Sequence, residues 1–174
     1  MAIEIKGSAK GGLTVLATIG ADGSKLPLFI IAKGKTVRVE NSQIAPEVGE
    51  WTTHTETGWQ NKDSFQCYLR HLRSLFPIEE EVHLLLDLHA SHRAKNVKDL
   101  AQQLNVHLYY IPSVATGELQ PPDRRIFCVM KSVARQQFRL RPIERRTTKE
   151  ACIDLRYAWD HVGIDALNSA WDCY

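Results

Sequence analysis

His83-Leu84-Leu85-Leu86-Asp87-Leu88-His89-Ala90-Ser91-His92 is the stretch on which the reading of this chain turns. Its first six residues form an apolar run broken only near its end by Asp87, which predicts a fully buried strand with a carboxylate at its close. Further on, Leu119-Gln120-Pro121-Pro122 predicts a turn. Asp123 follows it and opens a long, basic, amphipathic segment, so it reads as the first turn of a helix. A carboxylate ending a core strand and another starting a helix suit a divalent-metal phosphoryl-transfer site. The plainer alternative is structural. Asp87 then merely ends a strand, and Asp123 sits where a helix N-terminus favours a carboxylate by about 0.3–1 kcal/mol.

Working outward, Leu13–Ile19 and Leu26–Ala32 are β-rich runs around Ala21-Asp22-Gly23-Ser24, and the Asp-Gly pair predicts a hairpin. The stretch from Val37 to Trp51 contains Pro46, has no clear period and reads as extended chain or loop. From Asp63, Phe65, Tyr68, Leu69, Leu72, Leu75 and Phe76 recur at helical spacing until Pro77 stops them. A second helix carries Val97, Leu100, Ala101 and Leu104 on one face, and Val106–Ile111 is the next strand. Asp123 to about Leu140 predicts a long helix with Ile126, Phe127, Val129, Met130, Val133 and Phe138 toward a core. Pro142 ends it, and one or two helices fill Lys149–Trp171.

Three segments carry a family resemblance: Asp-Leu-His-Ala-Ser-His at Asp87–His92, Ile111–Asp123 with its Leu-Gln-Pro-Pro-Asp ending, and Ile126–Ser132 with Lys131. Thr14–Lys35 and Gly58–Phe65 precede them in a fitting order. Together they resemble the DDE superfamily endonucleases, the transposase catalytic core of pogo- and jerky-type elements and of the centromere-binding protein derived from one. The resemblance implies an RNase H-like α/β fold, a mixed sheet flanked by helices. It implies Mg²⁺ (or Mn²⁺) as cofactor, DNA as partner, and strand cleavage and transfer as the reaction. Asp87 and Asp123 then match the family's second and third metal-binding acids. The family's first acid sits on a strand in the middle of the sheet, and the expectation here is a chain that lacks that strand and the preceding DNA-binding region. Asp22, the nearest upstream Asp, belongs to the Asp-Gly hairpin turn, while Glu4, in Ile3-Glu4-Ile5, could stand in part of the strand's place. The alternative function is a transposase-derived nucleic-acid-binding protein that keeps the fold without the chemistry.

Composition is consistent with one globular domain over residues 1–174, with 44% hydrophobic and 24% charged residues. No apolar run approaches the roughly 20 residues that span a bilayer. Four scattered cysteines without a C-x-x-C pair indicate neither a zinc ribbon nor a disulfide framework. A reducing compartment is expected: nuclear, or cytoplasmic if the host is prokaryotic. The chain is not expected at a membrane, and an oligomer is compatible with the family.

Net charge is only +2, but basic residues concentrate between Arg124 and Lys149. Lys131, Arg135 and Arg139 recur every four residues and form a stripe away from the apolar face of the last long helix. Such a stripe is either solvated surface or a footprint for DNA phosphates. Arg124 and Arg125, beside Asp123, are the nearer candidates for phosphate. His89 and His92 have H-x-x-H spacing but no grouped zinc ligands, so they read as residues shaping the site mouth. Trp59, Trp159 and Trp171 read as packing residues.

Overall fold

The computed structural model of the chain describes residues 2–5, 13–39, 51–112, 126–140 and 147–171. The hairpin forms as the Asp-Gly pair dictates. Strands β2 (Leu13–Leu16) and β3 (Phe29–Lys33) pair antiparallel, with Leu13 opposite Ala32 and Leu16 opposite Phe29. Gly23 takes φ +80° at the turn, where a Cβ would stand 3.0 Å from both Asn168 Oδ1 and Ile164 Cδ1. Conformation and space both call for glycine there.

Strand β1 (Ala2–Ile5) lies antiparallel along β2, with Glu4 at the register position opposite Thr14. Strand β4 (Trp51–Thr55) runs parallel to β3, giving the order β1-β2-β3-β4. The stretch Val37–Trp51, expected as extended chain or loop, meets this strand only at Trp51, and residues 40–50 lie outside the described residues. The three threonines of β4 carry β propensity.

The second sheet consists of β5 (Val82–Leu86) and β6 (Val106–Tyr110), parallel, with His83 opposite His107 and Leu85 opposite Tyr109. No ladder joins the two sheets among the described residues. The expectation of a fully buried β5 is corrected by its pattern. Leu84 and Leu86 are buried, whereas His83 and Leu85 face solvent.

Helix α1 (Lys62–Arg73) starts at a capping box formed by Asn61 and Ser64. It ends at Arg73, before Leu75 and Phe76, which were expected to continue it. The cause is Arg73 itself, only 5% exposed, whose guanidinium donates to the carbonyls of Pro77, Glu80 and Leu104. Those bonds fold the following turn back under the helix. Short α2 (Ala90–Arg93) and α3 (Lys95–Gln103) follow β5. Helices α4 (Phe127–Arg139), α5 (Thr148–Asp160) and α6 (Ile164–Trp171) complete the described elements.

Strand alternation sends apolar residues to two cores. Val15, Ile30 and Ala32 pack with Ile126, the N-cap of α4, and with Met130, Leu155 and Trp159 of α4 and α5. Leu16, Phe29 and Ile31 pack with Phe65, Tyr68 and Leu72 of α1, and with Leu84, Leu86, Val97 and Val106.

Candidate functional site at Asp87

Asp87 stands one residue beyond β5, where the strand leaves its pairing with β6. The chain then enters α2, whose N-cap is His89. This geometry returns His92 beneath Asp87. His92 is 2% exposed, and its Nδ1 lies 2.9 Å from Asp87 Oδ1. Its Nε2 meets Gln60 Nε2 at 2.6 Å. An amide nitrogen can only donate, so Nε2 accepts and the proton sits on Nδ1, directed at the carboxylate. The Tyr110 hydroxyl donates to the His92 carbonyl at 2.9 Å, and the Phe65 ring lies 4.3 Å away, centroid to centroid. The imidazole is held on every side.

The hydrogen bond from His92 lowers the Asp87 carboxyl from its ordinary 3.8 to about 2, against the opposing effect of partial burial. The His89 backbone N–H also donates to Oδ1, at 3.3 Å. Oδ1 is therefore fixed by two donors, while Oδ2 has no hydrogen bond to any described residue. An ionised carboxylate with one oxygen anchored and the other unpaired among the described residues suits a hard cation. Among the described residues, no group of three or more His, Cys, Asp or Glu is placed to hold a metal ion.

A cavity of about 340 Å³ opens here, lined by Thr14, Trp59, Gln60, Asp87, His89 and His92. Its far wall is the turn between β4 and α1. Gly58 takes φ +78°, Thr14 Oγ1 donates to the Gly58 carbonyl at 2.7 Å, and Thr55 Oγ1 donates to the Trp59 carbonyl at 2.9 Å. These bonds present Trp59, 52% exposed, beside the cavity that Asp87 lines. The reading of Trp59 as a packing residue is thus corrected. Trp159 is buried as expected. Gln60 and Thr14 had not been singled out. The Gly58-Trp59 pair before a helix cap was the available signal, because a glycine turn commonly leaves the next side chain at the surface.

His89 and His92 both line the Asp87 cavity, in unequal roles. His92 is a buried partner of Asp87, while His89 is exposed and bonds Ser91 Oγ through Nδ1 at 2.7 Å. Lys131, Arg135 and Arg139 are all exposed on one face of α4, opposite Ile126, Met130 and Ala134. The stripe lines no part of the Asp87 cavity. Asp123, Arg124 and Arg125 lie outside the described residues, as do Pro142 and the side chains of Phe138 and Trp171. No described helix is long and apolar enough to cross a membrane.

The fold is similar to two solved structures. One is a chain of the simian T-cell lymphotropic virus intasome in complex with PP2A regulatory subunit B56 gamma. Its TM-score is 0.54 at 10% identity, covering 94% of this chain and 47% of that one. This chain thus spans about half of that relative's length. The other is the catalytic domain of Mos1 mariner transposase, with TM-score 0.51 and 16% identity, covering 98% of this chain and 79% of that one. These likenesses place the fold among RNase H-like transposase and integrase catalytic domains. No curated protein matches the sequence. The family model for DDE superfamily endonuclease matches residues 11–171, nearly the whole chain. The chain belongs to the DDE superfamily endonuclease family.

Proposed function

We propose that the chain is a catalytic core for divalent-metal-dependent DNA strand cleavage and transfer, with Asp87 and Asp123 as metal-binding acids. The observation that carries this reading is the Asp87 carboxylate, anchored through one oxygen by buried His92 at the mouth of a cavity it shares with Thr14, Trp59, Gln60 and His89. Mg²⁺ or Mn²⁺, when bound, would activate the attacking oxygen and stabilise the leaving one. His92 fixes the Asp87 carboxylate and keeps it ionised across the whole neutral range. Gln60 holds the tautomer that allows this. Trp59 offers an exposed aromatic face to an unstacked base. Lys131, Arg135 and Arg139, with Arg124 and Arg125, supply sequence-independent attraction for phosphates. In a eukaryotic host such a protein works in the nucleus.

A plasmid assay and a binding titration test the reading together. Supercoiled plasmid is incubated with the chain and Mn²⁺, and labelled duplex is titrated at two salt concentrations. Nicking that disappears in Asp87→Asn, with DNA affinity kept, supports the enzyme. Salt-dependent DNA binding without nicking supports the second reading, a transposase-derived nucleic-acid-binding protein. Neither nicking nor binding at low salt overturns both.

A further inference from the structure

One amide sets the state of both histidines at the Asp87 cavity. Gln60 Nε2 donates to His92 Nε2 at 2.6 Å and to Ser91 Oγ at 3.2 Å. The Ser91 hydroxyl in turn donates to His89 Nδ1 at 2.7 Å, and the Ser91 backbone N–H reaches the same nitrogen at 3.4 Å. His89 Nδ1 therefore accepts, and its ring proton sits on Nε2. The two imidazoles thus hold opposite tautomers. His92 turns its N–H on Asp87, while the Nε2–H of His89 has no hydrogen bond to any described residue. Gln60, only 9% exposed, spends both amide hydrogens in this way and leaves Oε1 without a partner among the described residues. Beside them stands the exposed ring of Trp59.

We propose that this cavity takes a single unpaired nucleotide, its base on the Trp59 ring and against Gln60 Oε1, its phosphate on the Nε2–H of His89. This preference rests on the nucleic-acid reading above and narrows it from DNA at large to a strand with an unpaired residue. A base offers a π-face to an indole and an N–H edge to an amide oxygen. A phosphodiester offers an anionic oxygen, which a ring N–H binds more strongly than it binds a neutral acceptor. The cavity, about 340 Å³, lies near the lower end of the small-molecule range of roughly 300–1,000 Å³. That is room for one planar ring and its sugar, not for a stacked pair. In a continuous duplex each base is covered by its neighbours and paired along its edge. Trp59 and Gln60 gain nothing from it unless the base is first taken out of the stack, a cost that is least for a residue already unpaired.

The test compares a duplex carrying one unpaired 2-aminopurine with its fully paired counterpart, each titrated with the whole chain at low salt and without divalent metal. The unpaired form should bind about tenfold more tightly, within the range of base–aromatic stacking, and its fluorescence should fall on binding. An abasic residue at the same position should lose the preference. Trp59→Ala should bring the two affinities together and abolish the quench, while Trp59→Phe keeps part of both. Tyr109→Ala, which removes an exposed ring outside the cavity, should alter neither. A methylphosphonate in place of the unpaired residue's phosphate should weaken binding to the wild-type chain several-fold, and to His89→Ala no further. Melting curves show whether each variant folds. Equal affinity of the wild-type chain for the two DNAs, or a preference that survives Trp59→Ala, overturns the proposal and leaves DNA binding intact. Equal methylphosphonate losses in the wild-type chain and His89→Ala overturn the assignment of His89. No binding of either DNA at low salt overturns the nucleic-acid reading and the proposal with it.

Discussion

The central hairpin and the β5–β6 pair look alike in sequence, since both contain short apolar strands, yet they are buried differently. Phe29, Ile30, Ile31 and Ala32 are each 0% exposed, because α1 covers one face of β3 and α4 and α5 cover the other. Strand β5 buries Leu84 and Leu86 against α1 and α3, but leaves Leu85 38% exposed with His83 beside it. A continuous apolar run shows that a strand is near a core. It does not show how many of its faces are covered, which depends on where the helices pack.

The sharpest way to break this comparison is paired truncation. Phe29→Ala should cost about 3–5 kcal/mol in urea unfolding, as expected for a fully buried aromatic. Leu85→Ala should cost less than about 1 kcal/mol, because its side chain loses little packing. Equal costs would mean that the outer face of β5 is covered in solution.

His92→Ala comes next, at about 2–3 kcal/mol, since it strands Gln60 and removes the anchor of Asp87. The same contact sets a pH dependence. The folded Asp87 carboxyl lies near 2 and its unfolded value near 3.8, so its contribution is complete above the unfolded value. It is lost as pH falls from about 4 to about 2, and amounts to on the order of 2 kcal/mol. Urea midpoints at pH 5 and pH 2.5 should therefore differ less in Asp87→Asn than in the wild-type chain. An unchanged difference would detach Asp87 from His92. The smallest effect belongs to the α4 stripe. Lys131→Ala and Arg135→Ala should leave stability within about 0.5 kcal/mol while reducing the salt slope of DNA binding.

Much of this architecture was legible because local chemistry and tertiary structure agree. Asp22-Gly23 fixed the hairpin, and Phe65, Tyr68, Leu69 and Leu72 fixed the buried face of α1. Lys131, Arg135 and Arg139 fell on one exposed stripe because helical period alone decides that. What was missed depends on contacts distant in sequence. Arg73 ends α1 by reaching carbonyls as far away as Leu104, which no periodicity records. Strand β4 exists because β3 offers a parallel edge, and parallel pairing has no turn signature. At the site, Asp87 and the nearby His92 were visible in one stretch of sequence. Gln60 and Trp59 come from another, and join them only through the turn at Gly58.

Lys25, in the hairpin, donates from Nζ to the carbonyls of Trp159, Asp160 and Val162 at 2.8, 3.1 and 3.1 Å, capping the end of α5. Trp159 Nε1 returns a bond to the Leu26 carbonyl at 3.0 Å. These contacts join residues more than 130 positions apart, so they set an order of events during synthesis. The hairpin leaves the ribosome early, but its outer face cannot be sealed until residues 159–162 have also emerged. Final closure must wait for a very long loop, whose entropic cost slows folding. In the interval, Val15, Ile30 and Ala32 stay uncovered, and a nascent chain in that state is open to chaperone capture or to pairing with a neighbour.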